Sequence, residues 1–395
     1  MTWLAHMTFV WKYLIVILTV LYGHTAWAAP HLTVDLGTGK VLSQQQAFDP
    51  WHPASLTKLM TAYSVFRAIQ SGDVQANQMV RISKNARRQP PSRMGYRTGT
   101  SMTLDDALKL LIIKSANDIS VAIAESVSGS VKNFSTRMNQ DAQRLGMTGS
   151  YFVNPHGLHD NRQVTTARDM ALLVRAIHKQ FPQYRNLFET PSVLAPNRTK
   201  NGKTIQRIYY SYNLLLERYR GADGFKTGFV CASGYNFIGA ATRSGRRISA
   251  IVLGRDSQTS RAVDAARLIT QGFELPIYSG TAISALKPTG PIPTGARNMR
   301  SILCTEKARA ARYEPGAGQA VINSKWLLER NVSKSPLRVA LGGGVKQNLV
   351  LASIPLPSFR PVDLPEKSEI PIPANTSNPE PSVRVAIPTF RPSTQ

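Results

Sequence analysis

The chain has 395 residues, 42% of them hydrophobic and 18% charged, which excludes a wholly disordered polypeptide. Two cysteines are too few for a disulfide scaffold or a multi-cysteine zinc module. The formal charge of +25 makes the surface strongly basic, but no block of five or more Lys/Arg occurs, so nucleic acid is not an expected partner. An anionic envelope polymer or lipid surface suits such a charge at least as well.

Residues 1–28 carry one charged residue, Lys12, then an apolar run from Tyr13 to Tyr22 and the triplet Ala26-Trp27-Ala28. A basic residue, a short apolar core and a small-x-small site read as a secretory signal peptide, removed after Ala28. The core is well short of the roughly 20 residues that span a bilayer. The mature chain would carry 25 − 1 = +24 and reach the periplasm or cell envelope. That compartment permits disulfides. Cys231 and Cys304 nevertheless lie 73 residues apart in segments of different character, and two free thiols are expected.

Leu32, Val34 and Leu36 alternate with polar residues before Gly37-Thr38-Gly39 and Val41-Leu42, a hairpin at the start of the mature domain. After Pro53, the residues Leu56, Leu59, Met60, Tyr63, Phe66 and Ile69 recur at helical spacing, and Gly72 closes this amphipathic helix. Thr103 with Asp106, and Thr166 with Asp169, are capping pairs for helices through Leu104–Leu111 and Met170–Ile177. An apolar helix runs from about Ile119 to Val127. Tyr235–Thr242 and Arg247–Gly254 are strands joined at Ser244-Gly245, and Gln258–Phe273 closes the region as a helix. Strands at both ends with helices between them predict an α/β (α+β) domain over residues 29–280, its sheet joining the two ends of the segment. Residues 281–350 hold enough apolar side chains to fold into something small. Residues 351–395 contain ten of the 25 prolines and an approximate repeat, Ile354–Pro361 and Ala386–Pro392, so an extended, disordered tail is expected. No apolar stripe with a basic face near Gln395 offers a C-terminal amphipathic anchor.

Three short motifs stand in order: Ser55-Leu-Thr-Lys58, Ser115-Ala-Asn117 and Lys226-Thr-Gly228. Each alone is weak. Together they occupy matching contexts: a helix start, a junction between helices, and the approach to a β-hairpin. Ser55 and Lys58 are three apart, so they share a helix face. A serine hydroxyl is a poor nucleophile until a base takes its proton. Lysine is such a base only when neutral, so its ordinary pKa of about 10.4 must fall. Burial and a second cation, Lys226, both push it down. Ser115 would relay the proton to the leaving amine, and Asn117 would hold Lys58 or the substrate amide. Lys226 and Thr227 offer a cation and a hydroxyl to a substrate carboxylate. Gly228, lacking a side chain, would let a substrate backbone lie along its strand. The N–H groups of Ser55 and Phe229 would form the oxyanion hole.

At these residues the chain resembles the serine-type D-alanyl-D-alanine carboxypeptidases, the low-molecular-mass penicillin-binding proteins. The likeness extends to Pro53-Ala-Ser-Leu-Thr-Lys-Leu-Met60, Lys114-Ser-Ala-Asn-Asp118, Asn154-Pro-His-Gly-Leu158, Thr166-Ala-Arg-Asp-Met-Ala171 and Asp223-Gly-Phe-Lys-Thr-Gly228. Gly234-Tyr-Asn236, Val252-Leu-Gly254 and Arg261 also fit. The resemblance covers about residues 30–275. It implies a β-lactamase/transpeptidase-like sheet flanked by helices, acyl-enzyme chemistry on the D-Ala-D-Ala end of peptidoglycan stem peptides, and covalent binding of β-lactams. It implies that Arg261 orients the carboxylate end of the cleft. It does not explain the proline-rich end.

Other readings are weaker. No G-x-S-x-G elbow accompanies His156, which reads as part of the Asn-Pro-His-Gly turn. No H-E-x-x-H motif occurs, and neither metal nor cofactor is expected. Asp118 and Asp169 could be active-site acids, although helix capping and a buried ion pair suit Asp169 better. Cys231 reads as strand packing. A class A β-lactamase needs a glutamate to activate water, and Glu125, Glu189 and Glu217 lie in no Glu-x-x-Leu-Asn setting. A D,D-endopeptidase on the same substrates, or a catalytically silent wall-binding protein, are the remaining alternatives.

Overall fold

The computed structural model describes residues 29–200, 203–313, 324–328 and 334–342. The expected signal peptide and proline-rich tail lie outside the described residues. The strands are β1 (His31–Asp35), β2 (Lys40–Gln45), β3 (Met79–Arg81), β4 (Ser101–Thr103), β5 (Ser192–Lys200), β6 (Lys203–Tyr210), β7 (Ala222–Val230), β8 (Gly234–Arg243), β9 (Arg246–Arg255), β10 (Thr281–Ala282) and β11 (Leu337–Arg338). Six of them form the main antiparallel sheet in the order β10-β2-β1-β9-β8-β7. The N-terminal hairpin is thus built into the C-terminal one, with Leu32 opposite Ile251 and Val34 opposite Ser249. Smaller sheets pair β3 with β4 and place β5 between β11 and β6. The polar, basic β5–β6 pair gives no alternating apolar signal and was not legible as strand.

Strand β9 shows why a sheet arises here. Its side chains alternate between two apolar clusters: Ile248, Ala250 and Val252 in one, Ile251 and Leu253 in the other. The first cluster is covered by the long helix Gln258–Glu274, started by a Ser257–Ser260 capping box. The second faces the helical body, made of α1 (Thr57–Gln70), α2 (Leu104–Lys109), α3 (Asn117–Ser128), α4 (Val131–Arg144) and α5 (Ala167–Gln180); the covering helix is α6. The predicted caps form: Thr103 Oγ1 accepts from Asp106 N–H at 3.1 Å, and Thr166 Oγ1 from Asp169 N–H at 3.0 Å. Ser244 and Gly245 both take positive φ, 46° and 77°, as a tight hairpin turn with the right twist requires.

Two expectations need correction. Helix α1 is not amphipathic along its first ten residues: every residue from Thr57 to Phe66 is buried, because α3, α4 and α5 pack around it, and only its last turn reaches solvent. Cys231 and Cys304 are not free thiols but a disulfide, with Cα atoms 5.7 Å apart. Sequence distance misled because the chain after α6 folds back on the sheet. There β10 pairs with β2, Met299 N–H donates to the Ala232 carbonyl at 2.9 Å, and Leu303 is buried beside Gly234. The short helix α7 (Arg300–Leu303) thereby delivers Cys304 to the β7–β8 turn. Cys231 lies in that turn rather than packing within a strand. Among the described residues no helix is long and apolar enough to cross a membrane.

Candidate active site

Ser55 sits in a single 3-10 turn, Ala54–Leu56, directly before α1, and Lys58 follows in the first turn of that helix. The Lys58 Nζ lies 3.0 Å from Ser55 Oγ. It also donates to Asn117 Oδ1 and to the His156 carbonyl, each at 2.7 Å. Three polar atoms surround the Nζ of a side chain with no solvent exposure, and a neutral amine can donate to two of them and turn its lone pair to Ser55 Oγ. Burial, then the charge of Lys226, hold the Lys58 pKa well below the ordinary lysine value, and Asp118 opposes them.

Asn117 reaches Lys58 because the chain breaks helical geometry just before it. Helix α2 runs into a wide π turn, Leu110–Lys114, and Ser115 adopts the left-handed conformation, φ 61° and ψ 36°, before α3 begins. The Asn117 Nδ2 donates to the Pro90 carbonyl at 2.9 Å, so its amide is committed to Lys58 and the Pro90 segment. Asp118 accepts from the N–H groups of Met94, Gly95 and Ile119. It braces that segment and does not touch Ser55. Asp169 accepts from Gly149 N–H and Ser150 and pairs with Arg168, a structural role as read.

Strand β7 carries Lys226, Thr227 and Gly228 along the edge of the main sheet. A Cβ on Gly228 would stand 3.0 Å from the Pro53 carbonyl oxygen and from the Ser55 nitrogen. The missing side chain therefore lets β7 close on the turn that carries Ser55. Lys226 is buried, donates to the Thr227 carbonyl at 3.1 Å, and has its pKa brought down to about 7 by burial, then by Arg261 and Lys114. Arg261, on α6, donates to the carbonyls of Gly228 and Asn236, both at 3.3 Å, beneath the Tyr235 ring. Phe229 packs its ring on Tyr235, centroids 4.3 Å apart. Ser115 and Thr227 are buried in the same segments but share no side-chain hydrogen bond with Ser55 or Lys58 among the described residues.

Three positions carry more than the sequence disclosed. The His156 carbonyl, not its imidazole, meets Lys58; the ring accepts from Leu158 N–H and burial keeps it neutral, its pKa down to about 3. Gly157 takes φ +87°, and a Cβ there would lie 1.8 Å from the Ala54 carbonyl oxygen. Asn236 donates to the carbonyls of His52 and Pro53 at 2.9 and 3.1 Å, tying β8 to the segment that enters the Ser55 turn. Asn154-Pro-His-Gly-Leu158 and Gly234-Tyr-Asn236 were visible as motifs, but their contacts are long-range. Among the described residues no group of His, Cys, Asp and Glu could hold a metal ion.

The family profile described as D-alanyl-D-alanine carboxypeptidase matches residues 23–257. The D-alanyl-D-alanine carboxypeptidase DacC of Escherichia coli is 34% identical over 253 residues, 61% of this chain and 60% of that protein. The chain thus spans about three fifths of the length of the curated relatives it matches. The crystal structure of the D-alanyl-D-alanine carboxypeptidase DacD from Francisella tularensis superposes with a TM-score of 0.59 at 28% identity, covering 62% of this chain and 70% of that one. A penicillin-binding protein from Listeria monocytogenes, in its cefotaxime-bound form, gives a TM-score of 0.54 at 28% identity, covering 62% of this chain and 97% of that one. Motifs, fold and match agree, and the chain belongs to the D-alanyl-D-alanine carboxypeptidase family.

Proposed function

We propose that the protein is a serine-type D-Ala-D-Ala carboxypeptidase that removes the terminal D-Ala of peptidoglycan stem peptides and is acylated by β-lactams. The observation that carries this reading is the buried Lys58 amine, of lowered basicity, 3.0 Å from Ser55 Oγ. Neutral Lys58 takes the hydroxyl proton as Oγ bonds to the carbonyl carbon of the penultimate D-Ala. The N–H groups of Ser55 and Phe229 receive the developing oxyanion. The C–N bond then breaks, and the proton passes from Lys58 through Ser115 to the departing D-Ala amine. Water hydrolyses the ester, returning a proton to Ser55 by way of Lys58. Lys226 and Thr227 take the substrate carboxylate, and Arg261 acts through the β7 carbonyl it holds. Because β7 is the last strand of its sheet, an extended peptide can add to its edge.

Persistent acylation by β-lactams follows from the glutamates. Glu125 accepts from Asn85, Glu189 pairs with Arg185 and Lys334, and Glu217 lies on the short helix Leu215–Arg218; none stands in the Glu-x-x-Leu-Asn setting that a class A β-lactamase uses. A catalytically silent binder would have no need of the bonded Ser55–Lys58–Asn117 set. Export fits both the signal-like residues 1–28 and the disulfide, which persists in an oxidising compartment. The test is release of D-Ala from a soluble diacyl-L-Lys-D-Ala-D-Ala peptide by the mature chain. Release that vanishes in Ser55→Ala supports the reading; release that survives the substitution overturns it.

A further inference from the structure

Between β3 and β4 the chain is strongly and exclusively basic. Arg81, Lys84, Arg87, Arg88, Arg93 and Arg97 fall within 17 residues that contain no Asp or Glu. All six are exposed, and none forms an ion pair among the described residues. Two carboxylates lie close by. Asp118 is buried and spent on backbone N–H groups, and Glu125 accepts from Asn85 at 2.8 Å.

This segment is fixed to the candidate active site. Asn117 donates through its side chain to the Pro90 carbonyl and through its backbone N–H to the Ser92 carbonyl, at 2.9 and 2.7 Å. Ser92 Oγ donates to the Lys114 carbonyl at 3.1 Å, and Asp118 accepts from Met94 and Gly95 at 3.0 and 2.8 Å. The unpaired cations therefore form a rigid shoulder bonded to the Ser115–Asn117 side of the cleft. They are not a loosely attached loop.

We propose that this shoulder docks the carboxylates of stem peptides neighbouring the one in the cleft, so that the enzyme processes polymeric wall in preference to free peptide. The proposal rests on the substrate class argued above. A stem peptide seated at Ser55 is one branch of a repeating polymer, so its neighbours are held near the shoulder at high effective concentration. Each brings carboxylates, which guanidinium groups pair with bidentately. No large apolar side chain between Arg81 and Arg97 is exposed, so the shoulder lacks the wedge by which a membrane-surface segment buries itself in lipid.

The test compares the mature protein with a variant combining Lys84→Gln, Arg87→Gln, Arg88→Gln and Arg97→Gln, whose side chains make no hydrogen bond within the described structure. On the soluble diacyl-L-Lys-D-Ala-D-Ala peptide the variant keeps kcat/KM within about twofold. On purified sacculi its D-Ala release falls on the order of tenfold, and the remaining rate loses most of its salt dependence. Equal losses on both substrates, or no loss on sacculi, overturn the proposal. Sedimentation with sacculi separates docking from catalysis. Wild type bound and variant released supports the docking surface even if neither substrate is cleaved. Equal sedimentation overturns it, as does a variant that loses binding only to phosphatidylglycerol vesicles.

Discussion

Gly228 lies against the backbone of Ser55, close enough that a Cβ at position 228 would stand 3.0 Å from the Ser55 nitrogen and 3.1 Å from that of Leu56. The strand proposed to hold the substrate and the turn that carries Ser55 are thus set by one backbone contact. Gly228→Ala must part them by a few tenths of an ångström. Acylation is expected to slow by about tenfold or more, since near-attack geometry is sensitive to small displacements. Stopped-flow acylation with a chromogenic cephalosporin, alongside an unchanged circular dichroism spectrum, checks this. An unaltered rate would contradict the contact.

His156 contributes a carbonyl to Lys58, and its imidazole is held neutral by burial. His156→Ala keeps that carbonyl but leaves Leu158 N–H without its acceptor, so a stability loss of about 1–3 kcal/mol is expected. Acylation should stay within about tenfold. A Ser–His mechanism would instead lose general-base catalysis, roughly 10²–10⁴-fold. Denaturant unfolding and acylation kinetics on one preparation separate the two.

On the proposed mechanism, the pH profile follows from two buried lysines in opposite required states. Lys58 must be neutral, and its pKa is held well below 10.5 by burial and Lys226. Lys226 must be charged to hold a carboxylate, and its pKa stands at about 7. Acylation should therefore rise with pH as Lys58 loses its proton, then fall on the alkaline side as Lys226 loses its own. A bound carboxylate stabilises charged Lys226 and moves that second limb upward. A Lys58 of ordinary basicity would instead give a rate climbing about tenfold per pH unit towards pH 10. Benzylpenicillin acylation rates from pH 5 to 10 decide; a continued log-linear climb above pH 8 would contradict the assignment.

The Cys231–Cys304 bridge closes a loop of 73 residues and pins the segment after α6 to the β7–β8 turn. On the chain-entropy account such a loop contributes about 4 kcal/mol. Reduction, or Cys304→Ser, should lower stability by that order in guanidinium unfolding. Thiol titration of denatured, unreduced protein should find no free thiol, and reduction should expose two. Two thiols before reduction would contradict the bridge.

What the sequence disclosed was local, and what it hid was long-range. The Thr103 and Thr166 caps, the Ser244-Gly245 turn and the Ser55–Lys58 spacing depend on residues three or four apart, where backbone geometry dictates the neighbour. The bridge, the Asn236 clamp on Pro53 and the fit of Gly157 under Ala54 join residues 73, 183 and 103 positions apart. Nothing in spacing specifies such contacts until the sheet order is known. Gly228 has a second reason that the spacing did not disclose: a glycine signals a close approach, and the folded chain shows the protein's own backbone at Pro53 and Ser55 making one. The burial of α1 through Phe66 was not legible because Thr57 and Thr61 are polar side chains whose partners, Gln163 and the Pro155 carbonyl, lie about a hundred residues away in the chain.

The central claim is that Ser55, activated by Lys58, forms an acyl-enzyme that deacylates slowly when the acyl group is a β-lactam. Intact-protein mass spectrometry after mixing the mature chain with benzylpenicillin tests it most directly. The account predicts one covalent adduct, absent in Ser55→Ala and strongly slowed to form in Lys58→Ala. It should persist for minutes to hours; a half-life near 10 minutes corresponds to about 10⁻³ per second, a barrier of about 21 kcal/mol. Penicillin hydrolysed many times per second with no adduct, or an adduct that still forms in Ser55→Ala, would contradict it.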